Sequence, residues 1–280
     1  TGRVPSGRFQ PEDLVSHVSE SRWISYHLRS TSDLDDLLWW VVRPAVRALL
    51  AEGLFDRFFF IRYPEGGDHV RLRLRIHLMA TTESASQRAH ELLSALAADW
   101  LESRSAADGS RTGSIELVRS PFELEIERYG GEQWFPWSLD FFSISSLEAL
   151  DFVARFRGEP RERQLTEIMV RLARQALGFA RDRDELLALL DYYSGWRERM
   201  AGIIARADKV FEASEAPIVR RFEDVIGALL DERPQVGVPG RLEPRSWSVE
   251  FDAARQLSRV LVDVDPATRR GVLVSQMHMA

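Results

Sequence analysis

The stretch HVRLRLRIHL, residues 69–78, alternates strictly, with Val70, Leu72, Leu74, Ile76 and Leu78 in one register and Arg71, Arg73, Arg75 and His77 in the other. A period of two is that of a β-strand, whose successive side chains point to opposite faces of a sheet. One face of this strand is therefore apolar, and the other carries three guanidiniums. Upstream, FFFIRY at residues 58–63 is a second β-rich run, and the intervening PEGGD supplies glycines that permit the positive φ of a tight connection. The two runs predict an antiparallel hairpin.

On the N-terminal side of the hairpin, Trp23–Leu28 reads as a strand, followed by Ser32 and Asp35 at the spacing of a capping box. Leu34, Leu37, Leu38, Val41 and Val42 then recur at helical spacing, and Pro44 should kink or restart that helix ahead of Val46, Leu49 and Leu50. Trp39 and Trp40 are expected as core or interface anchors. On the C-terminal side the sequence predicts a helix from Ser84 to Leu101, a polar loop from Ser103 to Thr112 and a strand at Ile115–Val118. The order strand, helix, strand, strand, helix, strand is that of a ferredoxin-like sheet, antiparallel and covered by two helices on one face. The run FELEIERY, residues 122–129, is expected to add to that sheet or extend it.

Beyond Gly131 the pattern turns helical, with helices predicted near 145–157, 161–181, 183–206, 214–232, 248–261 and 266–279, and with ERPQVGVPGRLEP at 232–244 as a loop. The fold class is α+β. A single unit is expected, sheet-bearing over residues 1–131 and mainly helical over 132–280.

Composition narrows the classes of function. Apolar residues at 45% and charged residues at 29% are the balance of a globular chain. The absence of cysteine excludes disulfides, thiolate metal sites and a cysteine nucleophile. No apolar run approaches the ~20 residues that span a bilayer, and TGRVPSGRFQ has no apolar signal core, so a cytoplasmic location without a membrane partner is expected. The net charge of −6, with Lys209 the single lysine among 37 basic residues, argues against a partner nucleic acid held by bulk charge.

Three arginines on one sheet face form a surface for carboxylate or phosphate, because each offers a planar fork of donors. The bland alternative is a cross-strand ladder, since Glu123, Glu125 and Glu127 alternate along FELEIERY and could pair with the arginine row. In ERYGG, Arg128 stands beside paired glycines that mark a tight turn or a close backbone approach. The histidines, at 17, 27, 69, 77, 90 and 278, form no HExxH pair, so no metal site is expected. GxSxG, GxxxxGK[ST] and GxGxxG are all absent, which removes the signatures of serine hydrolases, P-loops and dinucleotide folds.

Trp23 with Tyr26, Pro44, FFFIRY followed by a turn and HVRLRLR, then ELEIERYGG and finally SQMHM, taken in this order, resemble the C-terminal elimination domain of lantibiotic dehydratases, found also as a free-standing protein in thiopeptide pathways. The resemblance runs from about Trp23 to the C-terminus, and the hairpin and ERYGG are its specific parts. It implies an enzyme that acts on a leader-bearing precursor peptide without a cofactor. It also implies Arg71, Arg73, Glu125, Arg128 and His278 as the catalytic set, the arginines holding carboxylate or enolate and a histidine or carboxylate moving a proton.

Two reactions occur in that family. Eliminases remove glutamate from glutamylated Ser or Thr, which here would call for a separate glutamylating partner. Pyridine synthases join two dehydroalanines by a formal four-plus-two cycloaddition, with loss of water and leader peptide. Eliminases usually continue after RYGG with an AExxFxxDS-like pattern, whereas this chain reads EQWFPWSLDFFSISS, with Leu139 and Ser145 at the acidic places, and ends at Ala280 without the Asn-Arg that usually follows HM. These departures make a pyridine synthase the leading expectation, with Tyr26, Trp134, Trp137, Tyr192 and Tyr193 as substrate contacts. A non-catalytic partner that captures a leader peptide as an added strand is a third reading.

Overall fold

The computed structural model describes residues 22–63, 67–108, 113–182, 184–186, 188–189 and 247–279. The first strand, β1, runs Trp23–Ser30. It leads into a short helix α1 (Leu34–Leu37), a π-helical turn (Leu38–Val42) and helix α2 (Arg43–Ala51). The hairpin is β2 (Phe55–Tyr63) and β3 (His69–Ile76), and helix α3 (Thr82–Asp108) returns the chain to β4 (Ile115–Ser120). Sheet order is β2-β3-β1-β4, with every pairing antiparallel. This is the predicted ferredoxin-like arrangement.

The alternation in residues 69–76 sorts as expected. Val70, Leu72 and Leu74 are fully buried with Ile24, Leu28 and Phe58 on the face covered by α2 and α3. Each such side chain contributes roughly 1.5–3 kcal/mol through removal from water. The strand ends at Ile76, so Leu78 stays exposed instead of completing the apolar row.

Several local expectations are corrected. The helix cap is Asp33, whose Oδ1 accepts from Asp35 N at 2.7 Å, and not Ser32. Pro44 does restart the helix, preceded by a π-turn that absorbs the backbone mismatch a proline imposes. Trp40 is 46% exposed and is no core anchor. Ser103 to Asp108 continue α3, because the hydroxyls of Ser103 and Ser105 donate to the carbonyls of Asp99 and Leu101 within the helix. FELEI adds no strand: residues 121–126 are irregular and end in a single 3-10 turn, Glu127–Tyr129.

The chain divides into two compact units, Thr1–Ser146 and Leu147–Ala280, inside helix α4 (Phe135–Phe156). The second unit contains α5 (Arg161–Phe179), α6 (Trp247–Val260) and α7 (Pro266–Met279), with α6 and α7 packed on α5. Its core holds a wholly buried arginine. Arg269 donates from Nε to Glu185 Oε1 at 2.7 Å, from Nη1 to the Ser258 carbonyl at 2.7 Å, and from Nη2 to Ser258 Oγ at 2.7 Å and the Phe179 carbonyl at 3.1 Å. The helices predicted over 183–206 and 214–232 and the loop at 232–244 lie mostly or wholly outside the described residues. No helix among the described residues is long and apolar enough to cross a membrane.

Candidate functional site

The sheet face opposite α2 and α3 carries the polar register. Antiparallel pairing sets Ser25 and Phe59 on either side of Arg73, His27 and Ile61 on either side of Arg71, and Trp23 and Arg57 on either side of Arg75. The three arginines then diverge. Arg75 donates to Asp56 at 2.6 Å, and Arg57 is paired with Asp140 of α4. Arg71 and Arg73 make no ion pair with a carboxylate among the described residues. The predicted Glu ladder therefore does not form, because residues 121–126 are not a strand and β3 is flanked by β1 and β2.

Arg73 is 8% exposed. Its guanidinium lies 4.7 Å from the Phe122 ring and 5.5 Å from the Phe59 ring, and its buried Nε has no hydrogen-bond partner among the described residues. Burial, with Arg71 adding to it, lowers its pKa to about 10, against smaller opposing contributions from Glu125 and Tyr129. It remains a cation at neutral pH. An unpartnered buried N–H of this kind costs free energy unless another group accepts from it.

Aromatic rings wall this guanidinium. Trp23 packs edge-on to Phe59 and Phe122 at 5.4 and 5.7 Å, Phe59 meets Phe142 at 5.3 Å, and Phe142 meets Tyr129 at 5.0 Å. The Tyr129 hydroxyl is buried without a partner among the described residues, and burial pushes its pKa up to about 12, so it stays a donor. Gly130 and Gly131, both at φ 92°, turn the chain here, and Gly131 N donates to Ile126 O at 2.9 Å. Left-handed backbone at two successive residues is a conformation glycine adopts without steric penalty. It fixes the 3-10 turn that carries Arg128 and Tyr129.

Arg128 Nη1 donates to both oxygens of Glu125 at 3.2 Å. Four of the five expected catalytic residues thus fall in one region: Arg71 and Arg73 on β3, with Glu125 and Arg128 on the segment over it. The fifth, His278, falls on α7 in the second unit, and its side chain lies outside what is described, as do Tyr192 and Tyr193. Trp134 and Trp137 are half-buried at the start of α4.

Tyr26, expected as a substrate contact, belongs to the opposite face. It is 1% exposed and donates its hydroxyl to the Ser86 carbonyl of α3 at 3.1 Å. Tyr26→Phe is expected to cost about 1 kcal/mol of stability and to leave turnover unchanged, measured by thermal denaturation beside a precursor assay; a loss of turnover without a loss of stability would return Tyr26 to the site.

Sequence reasoning missed several groups on this face: Tyr63, His27, His69, Phe122 and Tyr129. His27 follows from the alternation of Trp23, Ser25 and His27 with Ile24, Tyr26 and Leu28 once β1 is in register with β3, and Tyr63 and His69 from the hairpin, where they pair on the face of Arg71. His27 sits with its ring 5.2 Å from that of His69. Burial and then the positive charges of the arginines on this face, Arg71 foremost, lower its pKa to about 4, so it is neutral at pH 7. The ensemble is a donor-rich, aromatic-walled surface that includes the neutral His27 imidazole, suited to grip a carbonyl or carboxylate oxygen and accept a proton nearby. Among the described residues no cluster of His, Asp and Glu is placed to hold a metal ion.

The sequence model of the family described as "Lantibiotic biosynthesis dehydratase C-term" matches residues 23–280. No curated protein matches the sequence. Among solved structures, the tRNA-dependent lantibiotic dehydratase MibB from Microbispora sp. 107891 is similar over 93% of this chain and 26% of its own, with 22% identity and a TM-score of 0.59. The pyridine synthase TbtD from thiomuracin biosynthesis is similar over 92% of this chain and 90% of its own, with 16% identity and a TM-score of 0.56. These two likenesses establish a shared fold. The chain spans about a quarter of the length of MibB.

Proposed function

The chain belongs to the lantibiotic biosynthesis dehydratase C-terminal family, and from that premise we propose that it matures a ribosomally made peptide as a pyridine synthase. The observation that carries this reading is the Arg73 guanidinium, held among Phe59, Phe122 and Trp23 with an unpartnered Nε. An apolar wall suits a neutral substrate rich in dehydroalanine and azole or aromatic groups, and the buried cation suits a carbonyl oxygen that gains negative character.

In this reaction one dehydroalanine and the amide carbonyl that precedes it form the four-atom component, once the amide proton has moved to the carbonyl oxygen. The second dehydroalanine supplies two carbons. Two carbon–carbon bonds form, water leaves from the former carbonyl carbon, and the leader peptide then leaves as its carboxamide to give the aromatic ring. Arg71 binds a substrate carbonyl oxygen, and Arg73 donates to the reacting one and stabilises its developing charge. Neutral His27 acts as a proton carrier with Tyr129 as a neutral donor, and the family resemblance implies a proton-transfer role for His278. Trp134 and Trp137 extend the apolar surface for the macrocycle.

Glutamate elimination is the second reading, favoured by Arg71, Arg73, Glu125 and Arg128 being kept together. Against it, the positions where eliminases usually carry acids are Leu139 and Ser145, each 2% exposed and neutral. Mass spectrometry of a precursor carrying dehydroalanines, beside a glutamylated one, separates the readings. Loss of water and leader from the first is the expected result. Loss of glutamate from the second alone establishes an eliminase, and unchanged mass in both favours a peptide-binding partner.

A further inference from the structure

Arg71 differs from its neighbours in how it is held. His69, two residues before it on the same face of β3, is 1% exposed. Its Nδ1 lies 2.7 Å from the Gly67 carbonyl, and Arg71 Nε lies 3.1 Å from its Nε2. The two distances fix the tautomer: Nδ1–H donates to the carbonyl, which leaves Nε2 as the acceptor for Arg71 Nε–H. On its other side the guanidinium stacks 3.6 Å from the centre of the Tyr63 ring. Tyr63 is the cross-strand partner of His69, and their rings lie 5.7 Å apart. An arginine on a bare surface samples many rotamers, whereas this one is bonded at Nε and stacked on a ring face.

We infer that His69 is a positioning residue, acting through Arg71: with Tyr63 it immobilises the guanidinium so that its Nη fork meets a peptide carbonyl or carboxylate already oriented. This rests on the substrate-binding role proposed above for Arg71, and it assigns to a buried histidine a task that packing alone would not require. Freezing the fork before binding removes an ordering cost from the complex, so the effect falls on substrate binding more than on the chemical step.

The experiment is a mutant cycle on the full chain, with a leader-bearing precursor containing two dehydroalanines as the probe. His69→Leu removes the acceptor, and His69→Gln restores one near the place of Nε2. The expected result is KM raised about 10-fold in His69→Leu with kcat within about 2-fold, near wild-type values in His69→Gln, and no further rise when His69→Leu is added to Arg71→Ala. An equal rise in the Arg71→Ala background, or a His69→Gln as impaired as His69→Leu, overturns the inference. Should His69→Leu fail to fold, the wild-type protein decides by itself. With 15N-labelled arginine, the Nε–H resonance lost in Arg71→Lys is expected to exchange at least ~10-fold more slowly than that of an exposed arginine, and exchange as fast as an exposed one overturns the inference. That resonance reads the His69–Arg71 bond whether or not the precursor turns over, so failure of the pyridine-synthase reading and failure of this one are told apart.

Discussion

Replacing Arg73 with methionine lowers kcat/KM by about 10²–10³-fold, the size of effect seen when one preorganised donor to a developing oxyanion is removed, while the sheet remains folded. The stability half of this expectation follows from the surroundings. Arg73 makes no ion pair among the described residues, its one hydrogen-bond contact is a long 3.5 Å approach to the Arg71 carbonyl, and its Nε is unsatisfied. Methionine fills the slot between Phe59 and Phe122 without a buried charge, and exchanges of this kind are often neutral or stabilising. Arg73→Lys keeps the cation but not the planar fork, and about a 10-fold loss is expected. Thermal denaturation and mass-spectrometric turnover of the precursor check both halves. Full turnover in Arg73→Met removes the guanidinium from the mechanism and with it the main support for the proposed reaction.

The second large effect is on stability, in the other unit. Arg269→Met is expected to destabilise the chain by about 3–5 kcal/mol, because it strips a buried pair of one partner and leaves the other charged. Glu185 keeps its exposed-side contact with Arg181 at 3.2 Å but loses both bonds from Arg269, and the Ser258 carbonyl loses the donor Arg269 gave it, while the Phe179 carbonyl keeps only the bond from Ser258 Oγ. Against a typical total of about 5–15 kcal/mol this is a large share. Urea unfolding followed by circular dichroism reads it as a lowered midpoint; an unchanged midpoint shows that the network contributes nothing net.

The same network gives a direction to pH dependence. Burial alone would raise the Glu185 pKa, but the bonds from Arg269 and Arg181 outweigh it and hold the carboxyl below its ordinary range. A carboxyl more acidic in the folded than in the unfolded state contributes stability that is fully present above the ordinary glutamate value and is lost as pH falls through the depressed one. The wild-type midpoint therefore falls in acid below that range, and the fall is shallower in Arg269→Met.

What the sequence disclosed and what it hid have one physical explanation. The hairpin was legible because strict alternation over residues 69–76 serves a sheet with one wholly buried face, and the strand order followed from it. FELEIERY has the same alternation for another purpose. Phe122 lies against Trp23, Phe59 and the Arg73 guanidinium, so its apolar register caps the polar face of the sheet instead of pairing along an edge. Period alone does not distinguish these uses. Arg71 and Arg73 could be named from the sequence, but their difference from Arg75 depends on Asp56, which a bulge between Phe55 and Arg57 sets apart from the regular register of β2. Tyr26 was misplaced because parity along β1 assigns a face only once the neighbouring strand is in register.

The place of β1 between β3 and β4 has a consequence for the order in which the protein is made. Its apolar residues Ile24, Tyr26 and Leu28 leave the ribosome before their β3 partners Leu74, Leu72 and Val70, which follow roughly forty to fifty residues later, a delay of several seconds at synthesis rates of about 5–20 residues per second. Closure by β4 waits longer still. The hairpin can form locally within microseconds, but the aromatic lid over Arg73 arrives with Phe122 and Phe142. A nascent chain that has just completed β3 therefore displays its arginines uncovered and one edge of its first strand unpaired, and it is at this length that a translational pause would most expose it to misfolding.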